Sequence, residues 1–298
     1  MFRHHEPEGK DPARVVLLGA RGFLARAIDA ALDARTIART PIGSAEIDLA
    51  AAAAGEALAA KLRPTDAILF LSALTPDRGR GIDTMMANLR MAESVCRALS
   101  AAPVAHVVYV SSDAVYRDED AFVDESTRAD NPSLYGSMHA LRERMLQHQL
   151  GQAIPLAVLR PTLVFGAGDT HNSYGPNRFM RAAATDRAIP IFGAGDEQRD
   201  HVFVDDLARL IVDTIVYRSS GVLNLVTGTS VAFGELAREV ASIAGPDVQV
   251  VSKPRAAGPV LHRHYDPTAL HRAFPAFRFT PRSEALRRAW AGYAAATS

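Results

Sequence analysis

The apolar run Val15-Val16-Leu17-Leu18 leads without a break into Gly19-Ala20-Arg21-Gly22-Phe23-Leu24-Ala25, and a helical pattern continues to about Leu32. A short apolar run bounded by a turn fits a strand buried on both faces of a parallel sheet. The glycines let the chain turn tightly into a helix whose free N–H groups and dipole favour an anion such as a pyrophosphate. Gly-x-x-Gly-x-x-Ala alone also describes a plain tight turn. The strand before it, the helix after it and its place at the head of the chain favour a dinucleotide site. Ala25 stands at the third glycine position, where the demand is close helix packing.

Further strand and helix units follow. Thr36-Ile37-Ala38 is expected as a short second strand ending in Arg39-Thr40, where an acidic residue ordinarily receives the ribose hydroxyls of NAD. A cation there suits the 2′-phosphate of NADP, so Arg39 favours NADP, with NAD as the alternative. Residues 50 to 62 form an Ala-rich helix, and Ala67-Ile68-Leu69-Phe70-Leu71-Ser72-Ala73 a further buried strand. Val107-Val108-Tyr109-Val110 runs into Ser111-Ser112-Asp113, which puts hydroxyl and carboxylate groups at the carboxyl end of a parallel strand, where open α/β sheets bind ligands. Asn131-Pro132-Ser133 then starts a helix on which Tyr135 and His139 share a face. Leu134, Met138, Leu141 and Met145 form the stripe expected to pack, with Tyr135, His139 and Arg142 on the neighbouring face. Ala157 to Pro161 is another strand, and the helix 206 to 217 and strand Val222 to Val226 return to the same sheet.

From Phe165 the loops turn rich in Gly, Asn and Pro. The expected architecture is α/β: a mobile tail (1–12), a Rossmann-type doubly wound parallel sheet (13–165 plus about 203–227) and a smaller α+β substrate lobe (about 166–202 plus 228–298). At 298 residues and 48% hydrophobic content a sizeable core is available. The 33 basic and 33 acidic residues cancel, so no overall field draws nucleic acid or an anionic membrane, and an anionic ligand must be held locally. A lone Cys96 cannot form an internal disulfide and makes a reduced, cytoplasmic setting the default. No signal-peptide core is expected in the first residues, and no apolar run approaches the roughly 18 to 20 residues of a membrane span. His4 and His5 are expected to be exposed. His262 and His264 lack partners at metal-ligand spacing, so no metal is expected.

Ser111-Ser112-Asp113-Ala114-Val115-Tyr116, followed by Tyr135-Gly136-Ser137-Met138-His139, resembles the active-site region of extended short-chain dehydrogenases/reductases, the group of nucleotide-sugar epimerases and dehydratases. The departure is His139, where the family pattern Tyr-x-x-x-Lys has Lys. The resemblance implies Tyr135 as acid/base, Ser112 on the reacting oxygen, Asp113 at the dehydratases' Asp and His139 in the place of Lys. It implies cofactor contacts from Gly19, Arg21, Gly22, Phe23, Leu24, Asp48 and Leu49, then Leu71, Ser72, Ala73, Asn88 and Ser111, and finally Pro161 to Val164 past the nicotinamide. For the substrate it implies Thr75, then Asn177 within Tyr174 to Met180. Phe192 to Asp206 resembles the family block GxGxxxRDxxxVxD, with Arg199 on the nucleotide phosphate. Arg255 and Arg263 both stay open as the second phosphate-binding Arg. Family resemblance also implies a homodimer through the Tyr135 helix and its neighbour at 84 to 99.

In that chemistry the Tyr phenolate exchanges a proton with a sugar hydroxyl or ketone while hydride passes to or from nicotinamide. The Lys holds ribose and lowers the Tyr pKa from about 10. Imidazole, with its ordinary pKa near 6.5, is a weaker device, and to stay charged His139 would need a pKa raised to about 8.5. Three functions are compatible with these residues: a nucleotide-sugar oxidoreductase, epimerase or dehydratase; a reductase of a non-nucleotide carbonyl or lactone; and a dinucleotide-binding regulatory protein without turnover.

Overall fold

The structure, a computed structural model, describes residues 1–169, 172 and 174–297. In chain order the first half comprises β1 (Arg3–His4), β2 (Arg14–Leu18), α1 (Phe23–Ala34), β3 (Arg39–Ile42), α2 (Ala54–Ala59), β4 (Asp66–Phe70), α3 (Ile82–Ala101), β5 (His106–Val110), a 3-10 turn (Asp113–Val115), β6 (Phe122–Val123), α4 (Leu134–Leu150) and β7 (Leu156–Pro161). The second half comprises β8 (Leu163–Phe165), α5 (Pro176–Asp186), β9 (Ala188–Phe192), β10 (Gln198–Phe203), α6 (Val204–Val216), β11 (Ser219–Leu225), β12 (Ser230–Ala232), α7 (Phe233–Ala244), β13 (Gln249–Lys253), β14 (His264–Tyr265), α8 (Thr268–Ala273) and α9 (Arg282–Thr297).

A seven-stranded sheet runs β1-β11-β7-β5-β4-β2-β3. Every pairing in it is parallel except that of β1 with β11. Along β2, alternate residues enter opposite layers: Val15 and Leu17 pack with Ile28, Leu32, Leu207 and Ile211 of α1 and α6, while Val16 and Leu18 pack with Leu58, Val95, Leu99 and Leu146 of α2, α3 and α4. This is the period-2 consequence of a strand covered by helices on both faces. The chain leaves β2 for β3 on one side and then crosses to β4 on the other, so the crevice beyond the carboxyl ends of β2 and β4 is a topological switch point. A smaller apolar cluster of Phe165, Phe179, Ile189, Phe233, Leu236 and Leu286 holds the elements beside it together. Among the described residues no helix is long and apolar enough to cross a membrane.

Three expectations change. Residues 1–12 are not a loose tail: Arg3 and His4 pair with Ser220 and Ser219, and His4 bonds the Ser219 hydroxyl and the Ala273 carbonyl, both at 2.8 Å. A Cβ on Gly221, at φ +107°, would stand 2.7 Å from the Met1 carbonyl, so that glycine permits the close approach. So short a polar strand carries no periodic signal. The Ala-rich helix shrinks to Ala54–Ala59.

The third change concerns α4, where Ser133 caps the helix by accepting from the Gly136 amide at 3.1 Å. The expected stripe packs only in part: Met138 is buried and Met145 packs on the core, but Leu134 and Leu141 are 39% exposed, while the polar residues His139, Arg142 and Glu143 are enclosed. The polar face lies against Phe70 and Tyr109 of the sheet, and Ile82 and Met86 of α3 are exposed like the leucines.

Candidate active site

The turn after β2 has the shape a dinucleotide requires. Gly19 sits at φ +96°, and a Cβ there would lie 2.8 Å from the Ser72 amide, so the first turn and the end of β4 meet only through glycine. Gly22 caps α1 without a side chain, and the first turn of α1 holds no acidic residue, which leaves its N–H groups and dipole open to an anion. Phe23 and Leu24 pack toward the smaller apolar cluster, and Leu71, Ser72 and Ala73 are half-buried at the carboxyl end of β4. Pro161 ends β7 in register with Leu225, and Val164 follows in β8. These residues fit a nicotinamide dinucleotide.

Arg39 does not serve this site. The second strand covers Arg39–Ile42, three residues beyond its expected start, with Arg39 opposite Val15 at the amino end and Ile42 opposite Leu18 at the carboxyl end. The guanidinium is clasped by Asp29 and Asp33 of α1, which raise its pKa. The residue at the correct end is Arg21, exposed and lying over Gly43, where a Cβ would be 3.3 Å from its Nε. Asp48 is exposed and accepts from the Ala50 amide, whereas Leu49 enters the core. Asn88 is 1% exposed and its amide grips Leu74 on both sides, accepting from N–H at 2.8 Å and donating to C=O at 3.0 Å. Its role is to pin the loop after β4.

At the end of β5 the two serines divide. Ser111 is buried and donates to Glu143 at 2.6 Å, so its hydroxyl belongs to the floor of the site. In that floor Arg160 makes a two-pronged pair with Glu143 at 3.0 and 2.6 Å and donates to the Tyr116 hydroxyl at 2.9 Å, and Tyr116 donates to Asn224. Ser112 is half-exposed and caps the 3-10 turn, accepting from the Ala114 amide at 3.1 Å. Asp113 accepts from the Tyr265 hydroxyl at 2.6 Å and from Thr162 at 3.3 Å. Burial, and then Asp113, hold the Tyr265 pKa well above the ordinary tyrosine value. No sequence signal marked Tyr265, and Thr162 was marked only as part of the stretch Pro161 to Val164.

Tyr135 sits at the start of α4 because Gly136 lets the helix approach the 3-10 turn: a Cβ there would stand 2.2 Å from the Ala114 carbonyl. Tyr135, Ser133, Met138, Asn88, Thr84 and Arg80 line a cleft of about 260 Å³ between α4 and the start of α3. Burial raises the Tyr135 pKa to about 12, Arg142 opposes the shift, and Asp113 and Asp77 add to it. His139 is 2% exposed, its Nδ1 lies 2.7 Å from the Tyr109 hydroxyl, and its Nε2 is buried without a partner. Burial first, and Arg142 second, push its pKa well below the ordinary value. The raised pKa that a charged His139 would require is therefore not what these surroundings produce: they favour the neutral imidazole.

On the substrate side Thr75 donates to Asp77 at 2.5 Å. Asn177 is buried, and its amide accepts from the Gly166 N–H and donates to the Val164 carbonyl and Asp169, so it shapes the loop. Arg199 pairs with Glu197 at 2.6 Å, not with Asp200 or Asp205. Asp200 is itself buried, bonded to Thr227 and Gly228, with a pKa raised by burial to about 6. Arg199 and Arg263 are near enough to each other, and to Asp113 and Tyr265, for their charges to interact. Arg263 donates to the Arg117 carbonyl, and its Nε is buried without a partner. Arg255 is apart from them, an exposed loop side chain that donates to the Pro259 carbonyl, so of the two candidates it is Arg263 whose segment meets that of Arg199, its amide donating to the Gln198 carbonyl at 3.1 Å.

A glycine turn at the switch point of a parallel sheet, with Ser112, Asp113 and Tyr135 gathered beside it, defines a dinucleotide-dependent α/β protein. Residues 15–224 match the NAD dependent epimerase/dehydratase family, and the chain belongs to that family. A 125-residue stretch is 31% identical to a dTDP-L-rhamnose 4-epimerase of Burkholderia thailandensis, covering 40% of this chain and 34% of that protein, so the match spans about a third of the relative's length. A GDP-L-fucose synthetase from Naegleria fowleri, solved bound to NADP, is similar in fold at TM-score 0.83 and 18% identity over 95% of this chain and 94% of that one. MoeE5, solved with UDP-glucose and NAD, is similar at TM-score 0.81 and 22% identity over 96% and 100% of the two chains.

Proposed function

We propose that this protein carries out epimerase, dehydratase or reductase chemistry on a nucleoside-diphosphate sugar, with Tyr135 as the acid/base. The observation that carries the reading is the pair Arg199 and Arg263, whose segments meet where the Arg263 amide donates to the Gln198 carbonyl at 3.1 Å, two residues from Tyr265, which donates to Asp113 at 2.6 Å. Two guanidiniums suit a diphosphate, because each planar fork can give two parallel charge-assisted bonds. A bound nicotinamide would supply or accept the hydride. Tyr135, neutral at physiological pH because its pKa is pushed up to about 12, donates a proton to a reacting oxygen directly and accepts one once its phenolate is stabilised. Ser112 orients the same oxygen, and Asp113, held by Tyr265 and Thr162, presents a carboxylate beside it. A module that only bound the dinucleotide would need none of these three groups.

Calorimetry with a panel of uridine, guanosine, cytidine and thymidine diphosphate sugars tests the reading. At least one should bind, and Arg199→Ala should weaken that binding by about 2 kcal/mol, the order expected for a partly buried charged partner. No binding by any member would reject the nucleotide-sugar assignment.

We further infer a preference for NADP, carried by Arg21 of the turn after β2, which lies over Gly43 just past the carboxyl end of β3, where the Glu46 carboxylate is held by the Gly43 amide at 3.1 Å. One charge-assisted contact contributes about 1.5 to 3 kcal/mol, a roughly tenfold to hundredfold preference. Arg21→Ala should remove it, while Arg39→Ala should leave the NADP to NAD ratio unchanged. Fluorescence titration with both cofactors distinguishes these outcomes, and equal wild-type affinities would refute the inference.

A further inference from the structure

Arg142 is among the largest side chains with no exposed surface. Its guanidinium lies 4.3 Å from the centre of the Phe70 ring and 5.1 Å from that of Tyr109. One nitrogen donates to the Ser72 carbonyl at 2.7 Å, another lies 4.0 Å from the Met138 sulfur, and Nε is buried without a partner. The ionisable groups that act on it are Tyr109, Tyr135 and Cys96, none of them a carboxylate. Arginine keeps its charge even where burial lowers its pKa, and an unpaired buried cation opposes folding, so its presence here calls for a counter-charge that forms during function.

The place of that counter-charge follows from α4. Arg142 is seven residues beyond Tyr135, two helical turns along the same face, and helical side chains lean toward the amino terminus. Between them lies a continuous set of rings: Tyr135 meets His139 edge-on with centres 4.7 Å apart, His139 bonds Tyr109, and Tyr109 faces the guanidinium. Ser72, which accepts from Arg142, also abuts Gly19, so the cation reaches the crevice at the carboxyl end of β4.

We propose that Arg142 is a positioning residue that supplies the fixed positive charge favouring the Tyr135 phenolate, standing one turn beyond the position at which the Tyr-x-x-x-Lys pattern has lysine. The proposal rests on Tyr135 being the acid/base of the function above. Arg142 is the group that favours ionisation of this phenol, against Asp113 from the 3-10 turn and Asp77 from the loop after β4. The other groups around it are held neutral by burial: His139 is pushed down, Tyr109 up, and Cys96 of α3 up to about 11. Glu143 acts on Tyr109 and is paired with Arg160.

Ultraviolet difference titration of each protein against its Tyr135→Phe counterpart isolates the ionisation of this one phenol, with and without saturating NADP. It needs no substrate, so a failure of the nucleotide-sugar reading leaves the result interpretable. Arg142→Gln retains a donor for the Ser72 carbonyl and removes the charge, and Arg142→Met is the apolar alternative. In either variant that folds by circular dichroism, the Tyr135 midpoint should rise by about one pH unit, a tenfold loss of phenolate at a given pH. Arg142→Lys should hold it within about half a unit. The double variant Arg142→Met/His139→Lys, with its cation moved back one turn, should also return to within about half a unit of wild type. An unmoved midpoint in a folded Arg142→Gln or Arg142→Met variant overturns the proposal, as does a double variant whose midpoint stays about a unit high.

Discussion

Tyr135→Phe should lower the single-turnover rate of hydride transfer by about 10³-fold or more, within the range a positioned proton donor contributes, while NADP affinity changes less than about twofold. The substitution removes one oxygen and leaves the ring, whose edge contact with His139 keeps the start of α4 in place. The pH dependence has a definite sign. With the pKa raised to about 12, the phenol is protonated across the neutral range, so the direction in which Tyr135 accepts a proton should speed up with rising pH, approaching tenfold per unit below that pKa. The direction in which it donates should be flat there. Cofactor absorbance in a stopped-flow instrument reads both. A Tyr135→Phe protein that keeps a tenth or more of the wild-type rate, about 10%, would move the acid/base role elsewhere.

The second large effect is on stability. Glu143→Ala should lower the unfolding free energy by about 3 to 5 kcal/mol, because it leaves Arg160 buried without its partner. Both side chains are under 10% exposed, and the same carboxylate also accepts from Ser111. Replacing both members, Glu143→Leu with Arg160→Met, should cost far less than the single change, since no unpaired charge remains. Urea unfolding of the three proteins measures this. A double variant as unstable as Glu143→Ala would mean that hydrogen bonds to Ser111 and Tyr116, and not the ion pair, dominate the cost.

Local features of the site were legible in the sequence and long-range ones were not. The glycine turn, the Ser112-Asp113 pair and Tyr135 follow from short stretches whose strand, turn and helix signals agree. Arg39 was misplaced because Thr36-Ile37-Ala38 has better strand propensity than Arg39-Thr40-Pro41-Ile42. The ladder chose the latter, and Pro41 is tolerated because β3 pairs on one side only. Asn88, Asn177 and Ser111 lie at ligand-facing positions in the family pattern, yet each turns its polar group to nearby backbone or to Glu143, a choice of side-chain conformation that spacing does not encode. Half of the stripe on α4, Leu134 and Leu141, misled for a related reason. Amphipathic periodicity assumes that charge faces water, and here two cations, Arg142 and Arg160, are enclosed by aromatic rings and a carboxylate.

An open sheet ends in two rows of unpaired backbone groups that another chain can extend. In this protein the β3 edge carries Arg39 and the imino residue Pro41, and at the other edge β1 pairs with β11 only at Ser219 and Ser220. Pro41 lacks the N–H that a strand added to β3 would need, so of the two edges β3 is the poorer template for strand addition. Side-chain packing on α3 and α4, where Ile82, Met86, Leu134 and Leu141 are exposed, needs no such edge.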